Sequence, residues 1–138
     1  MDKLKEKFQS KAAPLAAEIK DIIKTNGDLV LGEFTVAQVY QGMKGMKGMV
    51  TETSKLDPEE GIRFRGYSIP ELRKQLPKAS GGTEPLPEGI FHLMLVGELP
   101  TSDDVTFITN EWQKRSVVPK HVFDVIDALP VDAHPMTQ

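Results

Sequence analysis

The part of the sequence after residue 68 contains four amphipathic patterns, and each follows a signal that begins a helix. The segments "SIPE" (residues 68–71) and "TSDD" (residues 101–104) have the spacing of N-terminal capping signals. Pro87 and Pro119 open the other two patterns, because proline is tolerated in the first turn of a helix. We therefore predict four helices, the second of which ends at Gly97. The apolar residues expected to face inward are Ile69, Leu72 and Leu76; Ile90, Leu93 and Met94; Val105, Ile108 and Trp112; and Val122, Val125, Ile126 and Leu129.

The first forty residues give two further patterns. Residues 2–25 have apolar residues at helical spacing, which predicts an amphipathic helix that Pro14 should kink or restart. Asn26 and Gly27 form a stop signal for that helix. Residues 29–40, "LVLGEFTVAQVY", are rich in β-branched residues and predict a short strand or hairpin.

The segment "IRFRGY" alternates between apolar and basic residues. Arg63 and Arg65 should therefore share one face of a short strand, with Ile62 and Phe64 on the other. Together the patterns predict a mostly α-helical fold with a small β-hairpin element around residues 29–66.

Composition excludes several classes of protein. The 138 residues suit one domain, and their 39% hydrophobic content is too high for a disordered tail. A net charge of −3 gives no general attraction to nucleic acid. The absence of cysteine excludes disulfides and thiolate chemistry, and a reducing compartment is consistent with it. No apolar run is long enough to span a membrane, and no signal peptide is recognisable. We expect a cytosolic protein, or an organelle protein without its leader.

The glycine-rich segment "GMKGMKGM" (residues 42–49) has two interpretations. Its glycines would let a ligand approach the backbone, and Lys44 and Lys47 could meet a phosphate, although no known phosphate-loop pattern is matched. Alternatively, the segment is a flexible connector whose methionines fill gaps in a core. The residues alone leave both interpretations open.

Charged residues also gather in "LDPEEGIRFRGY", between Leu56 and Tyr67. Asp57 precedes Pro58, which is a turn signature, and two glutamates follow before Arg63 and Arg65. We interpret this block as a structural turn, and expect both arginines to be held by carboxylates rather than by a substrate.

The three histidines offer little chemistry. His92, His121 and His134 have no histidine partner three or four residues away, so a metal site on one helix is not expected. We interpret His92 as a core or boundary residue, and we place His121 in the first turn of its helix without a functional role. His134 follows Asp132 by two residues, but that spacing rarely gives a useful carboxylate–imidazole pair, and Pro135 holds His134 extended.

Several segments resemble the N-terminal part of citrate synthases of the mitochondrial-type branch, which includes 2-methylcitrate synthases. The segments are "GMKGMKGMVTETSKLDPEEGIRFRGYSIPEL", "LPKASGGTEPLPEGIFHLMLVGELPT", "EWQKRSVVPKHV" and "HPMTQ". The resemblance runs from Leu4 to Gln138 in the family's order. It implies that residues 1–138 are the N-terminal segment of a large helical domain, without the small domain and the catalytic remainder.

The resemblance also implies a function for the complete enzyme. Such an enzyme is a homodimer that condenses acetyl-CoA with oxaloacetate to give citrate and CoA, without a metal and without a tightly bound cofactor. It acts on small molecules rather than on nucleic acid or membranes. The family's catalytic histidines lie in "GPLHG" and "GHAV", and this sequence contains neither motif. Its "VDAH" is followed by "PMTQ", so we assign no catalytic residue and expect the chain alone to be inactive.

One ligand contact is carried over from the family. An arginine in the family's "MRGMKG" helps to bind a CoA phosphate, and Lys44 stands at that position here. Lysine keeps the charge but loses the bidentate fork of arginine.

Two alternatives to a citrate synthase segment stay open for this chain: a free-standing helical module for dimerisation or CoA binding, and a fragment of a 2-methylcitrate synthase. The last residues carry no helix cap or charged tail, so a truncated product is one interpretation of the sequence, beside a natural short gene.

Overall fold

The computed structural model describes residues 2–46 and 48–137 and confirms the predicted class. Within those residues the chain is mostly α-helical and contains one small antiparallel sheet. The elements in chain order are α1 (Asp2–Asn26), α2 (Val36–Tyr40), β1 (Ser54–Asp57), β2 (Gly61–Phe64), β3 (Tyr67–Ser68), α3 (Ile69–Gln75), α4 (Pro87–Val96), α5 (Ser102–Lys114) and α6 (Lys120–Asp127).

The four helices predicted after residue 68 are confirmed, with the expected start signals. Capping boxes are formed by Ser68 with Glu71 and by Thr101 with Asp104. In each box the hydroxyl accepts a backbone N–H three residues later, and the carboxylate accepts the N–H of the cap residue. Gly97 ends α4 with a left-handed φ of 85°, which glycine adopts without strain.

The strand predicted over residues 29–40 is wrong. Residues 29–35 have no regular structure, and Val36 to Tyr40 form the short helix α2. Thr35 and Gln38 make a complete capping box at its start, so local hydrogen bonding prevails over the β-propensity of the valines. The sheet lies later in the chain, within residues 54–68.

The sheet is a three-stranded antiparallel meander in the order β1-β2-β3. Ser54 pairs with Phe64 and Asp57 with Gly61, so β1 and β2 form a tight hairpin. Arg65 follows β2 in the turn toward β3 and has a φ of +48°. It therefore does not share a strand face with Arg63, and that part of the prediction is wrong.

The core consists of two apolar clusters that meet on α4. Leu72, Leu76 and Leu93 form one cluster, against which Phe64 and Tyr67 of the sheet pack. Leu4, Val96 and Ile108 form the other, which joins α1 to α4 and α5. The inward faces predicted for α3, α4 and α5 are confirmed for their central residues, which are buried. At their ends Ile69 is 49% exposed and Trp112 is 37% exposed.

Burial is confined to part of the chain. Apart from Leu4, the buried apolar side chains lie between residues 72 and 108, inside what we call the packed half (residues 54–114). The open segments, which we define as residues 15–46, 48–53 and 117–131, contain no buried residue. The prediction that α6 turns Val122, Val125 and Ile126 inward is therefore wrong within this chain, because all three are exposed.

The accessible surface area of the chain is larger than that of a compact monomer of the same mass. Its accessible area is 11346 Å², whereas a compact monomer of this mass would expose about 7100 Å². Many of the exposed large apolar side chains lie on the second half of α1, on the segment that leads to β1, and on α6. The packed half therefore folds on a core, while the open segments present surfaces that nothing in the described chain covers.

Candidate functional site

The glycine-rich segment forms a tight turn after α2. Gly42, Met43 and Gly45 all have positive φ values, between 63° and 73°. The Met43 N–H donates to the Gln38 carbonyl at 2.8 Å, and the Gln38 side-chain amide donates to the Lys44 carbonyl at 3.4 Å. These bonds fix the backbone of the turn and leave the Lys44 side chain exposed.

A shallow cavity of about 430 Å³ lies beside this turn. Its walls are the irregular segment from Val30 to Phe34 on one side and Gly45 with Met46 on the other. Gln38 and Glu33 supply the polar side chains of the lining. Among the described residues, the turn presents the Lys44 ammonium group close in the sequence to an apolar recess. An ammonium on a glycine-rich turn can contact a phosphate as a point charge. Lys47 lies outside the described residues.

The charged block between Asp57 and Glu71 is a folded structural unit. The Asp57 carboxylate accepts the N–H groups of Glu60 at 3.0 Å and Glu59 at 2.9 Å, which closes the β1–β2 turn. These two backbone bonds lower the pKa of the Asp57 carboxyl. The acid therefore holds the turn in shape.

Arg63 is held by carboxylates, as predicted. Its guanidinium donates to Glu60 and, at 3.5 Å, to Glu71, and it also donates to the Gly66 carbonyl at 2.8 Å. The bond to Arg63 lowers the pKa of Glu60, while the Ser68 hydroxyl and N–H lower that of Glu71. The donors of Arg63 are thus taken up by its own hairpin and by the cap of α3.

Arg65 has a different main partner from the one predicted. Its guanidinium donates twice to the Met94 carbonyl, at 2.9 and 3.3 Å, and lies 4.0 Å from the Glu52 carboxylate. Met94 is in the last turn of α4, where carbonyl groups lack partners within the helix and carry the negative end of the helix dipole. Arg65 therefore acts as a cap that fastens the hairpin to the end of α4.

A buried polar network joins α1 to the start of α5. Asp104, only 4% exposed, accepts the Lys7 ammonium at 2.7 Å and both the hydroxyl and the N–H of Thr101. Burial acts to raise the pKa of the Asp104 carboxyl, but the bonds from Lys7 and Thr101 outweigh it and hold that pKa well below its ordinary value. Sequence reasoning found the cap and missed the lysine. The repeat of lysines at positions 3, 7 and 11 on α1 was the available signal.

The histidines lie in three separate places. His92 is 2% exposed, which confirms its interpretation as a core residue; its Nδ1 is 3.2 Å from the Glu98 carbonyl, and its Nε2 is 3.9 Å from Asp104. His121 lies in the first turn of α6, as predicted, and its side chain is exposed. The Nδ1 of His134 accepts the Met136 N–H at 3.2 Å, which places it in a local turn.

Over residues 2–46 and 48–137, no group of three or more histidine, aspartate or glutamate side chains is arranged to hold a metal ion. Among the helices of that same part, none combines the length and the apolar character needed to cross a membrane.

The helical fold with its small meander can be compared with known proteins. The family model "Citrate synthase, C-terminal domain" matches residues 42–138, a region that begins at the glycine-rich turn and includes the packed half. Because the match covers more than half of the sequence, the chain belongs to the citrate synthase family.

A curated relative supports the same assignment. The chain is 55% identical over 120 residues to "Citrate synthase, mitochondrial" of Kajikia audax, which is 87% of this chain and 26% of that protein. The chain thus spans about a quarter of the length of the relative. The resemblance stated from the sequence motifs is confirmed.

Proposed function

We propose that this chain is the N-terminal segment of an enzyme that condenses acetyl-CoA with oxaloacetate to give citrate and free CoA. The observation that carries the proposal is the 55% identity over 120 residues to a mitochondrial citrate synthase. The open segments support it as well, since a piece of a larger core should expose apolar faces that the rest of the protein covers. A compact free-standing module would not carry so much accessible surface.

The chain by itself should have no catalytic activity. The motifs "GPLHG" and "GHAV", which hold the family's catalytic histidines, do not occur in the sequence. The side chain of His92 is buried, and Asp132 and His134 lie in the turn after α6. We therefore assign no catalytic role to any residue of this chain.

Release of CoA thiol from acetyl-CoA tests this inactivity directly. The isolated chain is mixed with oxaloacetate and acetyl-CoA, and a thiol reagent follows the free CoA. The chain has no cysteine, so the reagent reports CoA alone. We expect no release above the rate without protein, and steady turnover would contradict the assignment.

The gene tests whether the chain is a segment. The reading frame is expected to continue past codon 138 into sequences that contain "GPLHG" and "GHAV". A stop codon directly after Gln138 would instead favour the free-standing helical module. The encoded enzyme is expected to be a homodimer without a metal, in the cytoplasm or, in a eukaryote, in the mitochondrial matrix. Comparing acetyl-CoA with propionyl-CoA as donor distinguishes it from a 2-methylcitrate synthase.

Lys44 is proposed to contact a phosphate of CoA in that complete enzyme. Its exposed position on a turn that hydrogen bonds hold in shape supports this role. In the full-length enzyme, Lys44→Ala should raise the KM for acetyl-CoA about three- to tenfold, since one charged contact is worth about 1 kcal/mol or slightly more. The KM for oxaloacetate should stay constant, and Lys44→Arg should retain tight binding.

Lys24→Ala is the matched control for this test. Lys24 is an exposed lysine in the last turn of α1, outside the glycine-rich turn. An equal rise in the KM for acetyl-CoA for both variants would show a general effect of charge and would remove Lys44 from the site.

A further inference from the structure

The end of α1 carries a pair of residues that can react with each other. Asn26 is the last residue of the helix, and Gly27 follows it in a turn where the Leu29 N–H donates to the Asn26 carbonyl at 3.0 Å. Asparagine is among the chemically labile residues of proteins, because the next backbone nitrogen can displace its side-chain amide. Glycine hinders that attack least, since it has no side chain and the most freely rotating backbone. The pair therefore has the chemistry of a deamidation site.

The surroundings of Asn26 leave this reaction open. Its side chain is exposed, and among the described residues no hydrogen bond holds its carboxamide. The helical backbone keeps the Gly27 nitrogen out of line with the carboxamide carbon, so the last turn of α1 has to open first. The buried residue of α1 is Leu4, at its other end. A helix end without buried side chains opens at little cost in free energy.

The end of α1 also explains why glycine follows Asn26. A Cβ at Gly27 would lie 2.4 Å from the Ile23 carbonyl oxygen, which is closer than a Cβ comes to a backbone oxygen. Any other residue would therefore have to displace the last turn of the helix. The stop signal of α1 and the reactive pair are the same two residues.

The second asparagine of the chain provides an internal reference. Asn110 is also helical and exposed, but Glu111 follows it instead of glycine. Its helix α5 is packed in the core through Val105 and Ile108, so opening it there costs far more free energy than fraying a helix end. The two asparagines thus differ in both requirements of the reaction.

We propose that Asn26 deamidates spontaneously through a succinimide with Gly27, at a rate set by the opening of the last turn of α1. The Gly27 nitrogen attacks Cγ of Asn26, the bond from Cγ to Nδ2 breaks, and ammonia leaves with the proton of the Gly27 N–H. Water then opens the five-membered ring at either carbonyl and gives aspartate or isoaspartate. The reaction concerns this chain as it stands, and it holds or fails independently of the condensation reaction proposed above.

The product should weaken the end of α1 in two ways. A carboxylate replaces a neutral amide at the negative end of the helix dipole, next to the acid Asp28. Isoaspartate also adds one methylene to the backbone. We expect several-fold faster hydrogen exchange in the last turn of α1, and Asn26→Asp should reproduce only the part that comes from charge. Exchange in the packed half should stay constant, because the second half of α1 buries no side chain.

Incubation of the chain at mildly alkaline pH and body temperature tests the reaction. Trypsin releases Asn26 within residues 25–44 and Asn110 within residues 79–114, and mass spectrometry reads each. We expect residues 25–44 to gain the mass difference between an amide and an acid and to separate into aspartate and isoaspartate forms. The rate should lie within about tenfold of that of an unfolded synthetic peptide of residues 20–32, and about a hundredfold or more above that of Asn110.

Two variants serve as matched controls. Asn26→Gln lengthens the side chain, so ring closure would need a six-membered ring and the mass gain in residues 25–44 should disappear. Gly27→Pro keeps Asn26 but removes the N–H, so no succinimide can form and isoaspartate should be absent.

Three results would overturn the proposal. Asn26 could stay unchanged over a period in which the synthetic peptide converts completely. Asn110 could convert as fast as Asn26. Asn26 could give aspartate without isoaspartate, which would indicate direct hydrolysis of the amide without attack by Gly27.

Discussion

The packed half and the open segments begin from the same kinds of local signal but differ in what they bury. Helix α3 in the packed half and α2 in the open segments both start with a complete capping box. Helix α3 goes on to bury Leu72, whereas α2 buries no side chain. Local hydrogen bonding thus sets where a helix begins, and tertiary contact decides how much the helix contributes to stability.

The ion pairs differ in the same way. In the packed half, Asp104 is shielded from water and joins α1 to the start of α5. In the open segments, Lys120 bonds Asp124 one turn away on α6, with both side chains largely exposed. Exposed pairs of that kind contribute little to stability, so the Lys120–Asp124 pair does not anchor α6 to the rest of the chain.

Matched leucine truncations should show the largest difference between the two regions. Leu93 is 0% exposed at the centre of the core, and Leu31 is 85% exposed in the open segments. We expect Leu93→Ala to reduce the free energy of unfolding by about 3 kcal/mol, through lost burial and the cavity that remains. Leu31→Ala should change it by less than about 0.5 kcal/mol. Urea unfolding followed by circular dichroism measures both, and equal losses would refute the division of the chain.

The next largest effect is expected at the carboxylate of Asp104. Asp104→Ala removes the acceptor for Lys7 and half of the capping box of α5, and should cost about 2 kcal/mol. The control is Asp103→Ala, since Asp103 is an exposed acid in the same helical turn. If both substitutions lowered the free energy of unfolding by the same amount, the effect would come from the helix dipole rather than from the bonds of Lys7 and Thr101 to Asp104.

The contribution of Asp104 should also depend on pH. Its pKa in the folded chain lies below the ordinary value of about 3.9, so the unfolded state binds its proton first as the pH falls. The stabilisation is therefore complete above about pH 5 and is lost progressively below pH 4. Asp104→Asn does not titrate, and the difference in stability between it and the wild type should shrink over that acidic range. If the difference in free energy of unfolding between the wild type and Asp104→Asn stayed constant from pH 6 to pH 3, it would contradict the lowered pKa of Asp104.

How much of this fold the sequence predicts depends on the range of the interaction. Signals within four residues were sufficient for the starts of α3 and α5 and for the end of α4 at Gly97. Thr35 and Gln38 have the spacing of a capping box as well, but the β-branched residues around them favoured the prediction of a strand. Contacts between distant residues could not be predicted, because the lysine repeat on α1 indicates a basic face but not that Lys7 meets Asp104, 97 positions away.

The candidate site shows the same limit. The motif around Lys44 predicts a charged group on a glycine-rich turn, and that is where the structure places it. The alternation in "IRFRGY" gave no sign that the chain turns at Arg65, because a positive φ is uncommon at residues other than glycine and Arg65 bonds to a distant partner. That partner is the Met94 carbonyl, 29 positions away.

Arg65 connects the hairpin to the helical core, and its loss should have an intermediate effect. Arg65→Ala removes two hydrogen bonds to the end of α4 and leaves a left-handed backbone, so we expect a loss of about 1.5 kcal/mol in the free energy of unfolding. Arg65→Gly should lose less, because glycine relieves the backbone strain. Arg73→Ala is the control, since Arg73 and its partner Glu84 are both 58% exposed. A loss at Arg73 as large as that at Arg65 would argue against the capping role.

The smallest effects are expected at the capping boxes of α3 and α2, which compare the same kind of cap in the packed half and in the open segments. Ser68→Ala and Thr35→Ala remove the same kind of hydroxyl cap, from α3 and α2 respectively. Ser68→Ala should cost about 1 kcal/mol of global stability, because α3 unfolds together with the core that holds Leu72 and Leu76.

Thr35→Ala should leave the global transition unchanged within about 0.3 kcal/mol, because a helix without buried side chains can open locally while the core stays folded. Its effect should appear in hydrogen exchange, as faster exchange of the amides of Gln38 and Val39, which donate to the side chain and the carbonyl of Thr35. If Thr35→Ala lowered global stability as much as Ser68→Ala, then α2 would unfold with the core, and the boundary between the packed half and the open segments would have to be moved to include it.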